Sequence, residues 1–393
     1  MLGNILVFKG QSRYNVLRIA ADYMVDSFRK KGYNVTIADL TIEGQLSEVL
    51  ASALDKSYVL IFSFQALLFD LYLSDNKTLL LNAINTPVFG HIVDHPVYHH
   101  SRIAQPLGDK IYLGSIDKSH VEYVEKYYPH IKHAVFLPHA GFLAHNIIPY
   151  ENRTVDLYFP SSYTNPSATI NKIKDMPDIY QTMSMLLIKN MLKDPFLTLQ
   201  NALATYLNEV NFTYLIDEFT ELMDIFSIVD GYIRAYTRDK CIRCLLENNI
   251  SVTVSGNGWD NFESDFQHNL IIMGSNGIDF LNVLEIIANS KMVLNDIATY
   301  QTGLHERIFT SMLCGAICLT NDFPIIHDEF TDRENILLFS HNQLQRFADK
   351  INTILASPDL AIQIAYKGNL IASQYHTWSN NADEILRIVG LQA

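Results

Sequence analysis

The chain has 393 residues, more than one hydrophobic core usually organises and comfortable for two, since domains commonly run to about 100–200 residues. Its 29 Lys+Arg against 42 Asp+Glu leave a net charge of −13, which excludes polymeric nucleic acid or an anionic lipid surface as a general partner. With 48% hydrophobic and 18% charged residues the chain is neither disordered nor a coiled coil.

The opening M-L-G-N-I-L-V-F-K-G has a short apolar run with no basic segment before it, so it reads as a buried strand and a cytoplasmic location is expected. No apolar run reaches the ~18 residues of a membrane-spanning helix. Through 1–150, apolar runs at 4–9, 34–38, 58–64, 87–93, 110–114 and 133–138 alternate with stretches of helical period. In 14–31, for example, Leu17, Ile19, Ala20, Met24 and Phe28 can share one face. This alternation predicts a parallel, doubly wound sheet whose ligands bind beyond the carboxyl ends of the strands. The loops 9–13, 93–96 and 137–141 are therefore where chemistry is expected. A second strand starts at 155–162, after which about 164–248 is helical in character and predicts an insertion. Alternation resumes at 251–255, 269–273, 291–295 and 316–320, with helices near 278–289 and 303–314. The region 341–391 is helical again. The expected fold is α/β, two doubly wound Rossmann-like domains facing a cleft.

Nine of the 14 histidines (His91, His95, His99, His100, His120, His130, His133, His139 and His145) crowd into 91–145. His91, His95 and His99 stand at i, i+4 and i+8, the spacing of a helical metal site. Pro96 and the strand pattern of 87–93 break such a helix, so no metal is expected there. Asp94 and His95 instead form a D-H-P turn at a strand's carboxyl end, and His139, in L-P-H-A-G, takes the equivalent place two strands later. These three are the candidates for a base or a polar clamp. Cys241/Cys244 and Cys314/Cys318 have close spacing, but the first pair sits in helical sequence and the second flanks Gly315 at an apolar junction. Buried free thiols are expected rather than a zinc site.

The turn V-S-G-N-G-W-D (254–260) runs from a strand into Gly256 and Gly258, which let the backbone approach a phosphate or nucleoside. In Y-Q-T-G-L-H-E-R-I-F-T-S-M-L-C-G-A-I-C-L-T (300–320) a glycine precedes a helix whose first turn carries His305, Glu306 and Arg307. The free N–H groups of a helix start and a bidentate guanidinium suit a pyrophosphate.

The runs G-N-G-W, I-I-M-G, L-N-V-L-E-I-I-A-N-S-K-M-V-L-N, G-L-H-E-R-I-F-T-S-M-L-C-G-A-I-C-L-T-N-D, D-E-F and E-N-I-L-L-F follow one another over about 250–380. Together they resemble the C-terminal half of bacterial CgeB-like glycosyltransferases of the GT-B fold. Over 1–150 the resemblance rests on D-H-P and L-P-H-A-G, and 164–248 shows none. It implies an acceptor-side domain at 1–150, a donor domain at 151–375 holding a nucleotide sugar (a UDP-sugar favoured), and a C-terminal helix at 376–393 returning to the first domain. Implied too are hexosyl transfer to a hydroxyl on a protein or glycan, retention of configuration, independence from metal, and no cofactor beyond the donor. By the same likeness Gly256, Asn257, Gly258 and Trp259 line the nucleotide, and Gly303, His305, Glu306 and Arg307 meet its phosphates and ribose. Relatives carry E-R-x-F-E-A where this chain has Thr310 after Phe309. Either Glu306 substitutes for the missing carboxylate or turnover is lost. The alternatives are a non-catalytic partner of an active glycosyltransferase that binds sugar nucleotide or glycan, and a nucleotide-sugar epimerase; a homodimer is a further expected partner state. A nicotinamide-linked dehydrogenase ranks below these because 4–13 lacks G-x-G-x-x-G.

Overall fold

The computed structural model describes residues 2–45, 47, 58–274, 276–297 and 302–392. They divide into two compact units. The first comprises Met1–Ala140, Thr302–Leu304 and Tyr375–Ala393, and the second Gly141–Gln301 and His305–Gln374.

In the first unit the apolar runs become six parallel strands, β1 Asn4–Lys9, β2 Asn34–Asp39, β3 Tyr58–Phe64, β4 Val88–Ile92, β5 Ile111–Ser115 and β6 His133–Phe136, in the order β2-β1-β3-β4-β5-β6. Consecutive residues such as Ile5, Leu6 and Val7, or Leu60, Ile61 and Phe62, are all fully buried. Neighbours on a strand point to opposite faces, so both faces of this sheet are covered, as a parallel sheet requires. Helix α1, Val16–Lys30, covers one face with Ala20, Met24, Val25 and Phe28. The C-terminal helix Trp378–Ile388 lies beside α1: Lys31 pairs with Asp383, the Tyr33 hydroxyl donates to the Gln392 carbonyl at 2.7 Å, and Trp378 meets Phe64 edge to face.

The second unit repeats the plan with β7 Val155–Pro160, β8 Val252–Ser255, β9 Leu270–Ile272, β10 Ser290–Asn295, β11 Ile317–Asn321 and β12 Leu337–Phe339, parallel and ordered β12-β11-β10-β7-β8-β9. The chain order reverses between β7 and β10, the place where doubly wound sheets open a crevice for ligands. The helical stretch forms α2 Pro166–Lys174, α3 Asp178–Lys193, α4 Leu199–Glu209 and α5 Ile216–Glu247, with Asn211, whose φ is 55°, in the turn between the last two. At 32 residues, α5 has two tasks. Cys241, Ile242, Leu245 and Leu246 seat its C-terminal part on the sheet as the β7–β8 crossover, while Phe219, Met223, Phe226 and Val229 make its N-terminal part the spine of the insertion. All four cysteines are free, three of them buried, and among the described residues no helix is long and apolar enough to cross a membrane.

Candidate functional site

The carboxyl ends of β7 and β8 are laced together by their backbones. Gly256 and Gly258 have φ of 135° and 91°, which side chains resist, and there is also no room for one. A Cβ on Gly256 would lie 2.7 Å from the Ser161 carbonyl carbon and the Ser162 nitrogen, and one on Gly258 would lie 2.3 Å from the Tyr163 oxygen. The Asn257 N–H donates to Ser162 Oγ at 3.2 Å, the Tyr163 N–H to the Asn257 carbonyl at 2.8 Å, and Trp259 Nε1 to the Ser161 carbonyl at 2.6 Å. Trp259 itself is fully buried and stacks on Tyr163, with ring centroids 5.2 Å apart. Its indole therefore braces the turn from inside the core, Gly256 is buried against Ser161 and Ser162, and of the four residues Asn257 and Gly258 reach the surface.

Arg238, on α5, reaches the same strand ends. Its Nη1 donates to the Ser162 carbonyl at 2.7 Å and its guanidinium lies over the Phe159 ring at 5.2 Å. Burial pushes its pKa down to about 10; the charge of Asp296 opposes this and that of Arg307 adds to it. Helix α6, Glu306–Leu313, starts at His305, whose Nδ1 caps it by accepting the Arg307 N–H at 3.2 Å. Arg307 Nη1 donates to Asn295 Oδ1 at 3.4 Å, and Asn295 Nδ2 donates in turn to Thr320 Oγ1 at 3.0 Å, so the guanidinium is held over the end of β10. Among the described residues neither Arg238 nor Arg307 has a carboxylate ion pair. Two half-buried guanidiniums without a carboxylate ion pair can take an anion.

Glu306 stands beside Arg307 in the first turn of α6. Burial pushes its carboxyl up to about 7 against the pull of Arg307, and Oε2 makes no hydrogen bond, lying 3.6 Å from His305 Nδ1. At the end of β10 Asp296 is buried as well. Burial acts to raise it, but His341, whose Nε2 is 3.0 Å from Oδ1, outweighs that together with Arg238 and the Asn321 amide, and the carboxyl stays below its ordinary range. Asn321 Oδ1 accepts the Ile297 N–H at 2.8 Å, which turns its Nδ2 toward both Asp296 Oδ1 and His341 Nδ1, each 3.3 Å away. Thr310 is buried and its Oγ1 accepts the Phe142 N–H at 3.1 Å, where Gly141 passes so close that a Cβ would lie 2.6 Å from the Phe309 carbonyl carbon.

In the first unit Asp94 is exposed after β4 and accepts from Gln65 Nε2 at 2.5 Å. His95 caps the short helix Pro96–His99, its Nδ1 accepting the Val97 N–H at 3.1 Å, with its ring 4.7 Å from His120 and 4.8 Å from Tyr123. His139 is buried 6.4 Å from His91, and burial pushes it down to about 3, so it is neutral at any working pH. Gly303 also belongs to this unit. It bridges to Asp117, which holds Thr302 through both its N–H and its hydroxyl, and a Cβ on Gly303 would lie 2.3 Å from the Ile116 carbonyl. The glycine is thus needed for a close backbone crossing in the first unit and is not grouped with His305–Arg307. Tyr300 and Gln301, which open the sequence motif, lie outside the described residues.

Sequence reasoning missed Arg238, Asp296 and His341. Asp296 follows a strand directly, as a strand-end search could have noticed; Arg238 lies mid-helix and His341 after a three-residue strand, positions without a local signal.

A family model described as Glycosyl transferase-like matches residues 238–387, a span that begins at Arg238 and takes in the glycine turn and α6. Among curated proteins none matches the chain. Among solved structures the chain is similar to HepE of Anabaena in complex with UDP and glucose, at 12% identity over 99% of each chain with a TM-score of 0.52. It is similar to the sucrose-phosphate synthase of Thermosynechococcus elongatus at 9% identity over 98% of each chain, TM-score 0.53. An alpha-glucosyltransferase in complex with UDP and a 13-mer DNA aligns at 11% identity over 99% of this chain and 100% of its own, TM-score 0.55. The two parallel six-stranded α/β sheets are those of the GT-B glycosyltransferase fold.

Proposed function

We propose that this protein is a glycosyltransferase of the kind its sequence resembles, CgeB-like, moving a hexose from a UDP-sugar to a hydroxyl on a protein or glycan, without metal and with retention. The observation that carries the reading is the pair of guanidiniums without a carboxylate ion pair among the described residues, Arg238 at the end of β7 and Arg307 at the end of β10. When the bond from the anomeric carbon to the phosphate oxygen breaks, negative charge builds on the diphosphate. Preorganised cations in a site of low dielectric stabilise that charge more than they stabilise the ground state. The UDP in several structural neighbours supports this choice of nucleotide. Glu306 offers the carboxyl for the ribose that Thr310 does not. Near neutrality it exchanges its proton, so it can donate to one ribose hydroxyl or accept from it.

On the acceptor side, Asp94 and His95 divide the work. Because His95 Nδ1 accepts the Val97 N–H, the neutral ring carries its proton on Nε2 and acts as a donor clamp. Asp94, exposed at the end of β4, is the base for the acceptor hydroxyl. His139, buried and neutral, positions the strand end. A second reading, a donor-binding partner without turnover, is favoured by Thr310, whose hydroxyl is already spent on the Phe142 N–H. The test is a panel of UDP-, GDP- and dTDP-sugars followed by nucleotide release and calorimetry. Release from a UDP-sugar is expected; binding of a UDP-sugar without release would favour the second reading, and no binding to any donor would overturn both.

A further inference from the structure

A cavity of about 350 Å³ lies within the second unit, between the helical insertion and the ends of β11 and β12. None of Gly256–Trp259 or His305–Arg307 lines it. One wall is apolar: Leu192 ends α3, Phe196 stands in the turn that follows, and Ile233 and Tyr236 face in from α5. Phe196 is 43% exposed, an aromatic ring left partly in water. The opposite side is polar and carries charge. Lys240 has its ammonium 4.9 Å from the Tyr236 ring and no ion pair among the described residues. The carboxylate on the lining, Asp322, is already paired with His327 at 2.7 Å, and His341 is engaged with buried Asp296. Lys240, exposed to solvent, is the ammonium on the lining, at one end of an apolar slot.

We infer that this cavity is a second binding site, for an amphipathic anion whose apolar body lies between Phe196 and Ile233 and whose carboxylate or phosphate meets Lys240. Its volume is that of a small-molecule site, and its few polar groups converge at one end, which fixes the ligand's orientation. The Tyr236 ring, 4.9 Å from the ammonium, favours the position of the Lys240 side chain at the end of the slot. Its polar end includes Asn321 and His341, which hold Asp296, so it adjoins the strand-end residues described above without including the glycine turn or α6.

Calorimetry on the full chain with octanoate, phenyl phosphate and 1-octanol tests it. Saturable binding of at least one anion is expected, about tenfold tighter than 1-octanol, the worth of one charged hydrogen bond. Lys240→Met should reduce the anion to the affinity of the alcohol. Phe196→Asp, at a position exposed enough to spare the fold, should abolish binding of all three. UDP affinity measured on the same variants is expected to stay within about twofold, because neither Phe196 nor Lys240 belongs to the glycine turn or to α6. Absence of saturable binding, equal binding of 1-octanol, or anion binding unchanged in Lys240→Met would each overturn the inference, whatever UDP does.

Discussion

The two units are built on the same six-stranded parallel plan, yet they bury opposite kinds of titratable group near their strand ends. In the first unit His91, His99 and His139 are held neutral, with burial pushing them down to about 4, 4 and 3. In the second unit Arg238 and Asp296 keep their charges, while burial pushes the Glu306 carboxyl up to about 7. Neutral imidazoles cost little to bury at pH 7 and pack like other rings. Unpaired guanidiniums are costly, so a fold that keeps them is preorganised for something negative. The crowd of histidines that dominates the composition therefore marks packing, and the arginines, too few to stand out in a chain of net charge −13, mark the site.

Acid separates the units most sharply. An unfolded histidine titrates near 6.5. As pH falls from 6.5 to about 4, the unfolded first unit takes up protons that the folded one refuses, and its stability drops. Each buried ring contributes up to about 1.4 kcal/mol per pH unit. Glu306 acts in the other direction, since folded it holds its proton up to about 7 and a free glutamate only to 4.5. Its contribution to the second unit therefore grows as pH falls from 7 to 4.5 and is lost as pH rises through 7. The chain has two tryptophans, Trp378 in the first unit and Trp259 in the second, so Trp259→Phe and Trp378→Phe variants report each unit separately by fluorescence. Stability of the first unit should fall between pH 6.5 and 4 while the second holds or gains. Parallel losses in both would break the contrast.

Removing a charge from the second unit comes next in size. Arg307→Met should lower the rate of nucleotide release by about 10²–10³, the worth of one charge-stabilising donor. Arg238→Met should weaken UDP binding by about tenfold to a hundredfold. Neither variant should melt earlier than the parent, because the methionine stem fills similar space and relieves an unpaired charge. A loss of activity accompanied by an equal loss of stability would show that these arginines hold the fold together. The glycine turn gives a smaller effect of the other kind. Gly258→Ala places a Cβ against the Tyr163 oxygen at a φ of 91°, and should destabilise the second unit by about 1–3 kcal/mol while weakening UDP binding through displacement of the turn.

Much of the architecture was legible in the sequence because parallel strands buried on both faces leave continuous apolar runs. Asn4–Lys9 and Tyr58–Phe64 agree with their runs to the residue. Leu337–Phe339 was not read as a strand, being three residues long and without flanking signals. The strand-end candidates were legible where a turn has its own chemistry, as with Gly256, Gly258 and the cap His305. What the sequence conceals is which side of a turn a residue faces. Trp259 follows Gly258 and resembles a nucleotide platform, but its ring is buried; Gly303 stands two residues before His305 and belongs to a backbone crossing with Asp117 in the first unit. Arg238 enters the site from a crossover helix, a tertiary placement that no local pattern encodes.

Thr310 gives the smallest expected effect and the finest distinction. The resemblance implies a carboxylate and a role toward the donor at this position, but in the structure the Thr310 hydroxyl accepts the Phe142 N–H inside the second unit. Thr310→Val keeps the volume and leaves that buried donor without its threonine acceptor, which should destabilise the second unit by about 1 kcal/mol. UDP affinity should stay within about twofold, since the lost bond lies within the unit's own packing. If instead UDP binding weakens while the melting curve is unchanged, Thr310 touches the donor after all. The ribose would then be held from α6 as in the relatives, and Glu306 would have lost its claim to replace the missing carboxylate.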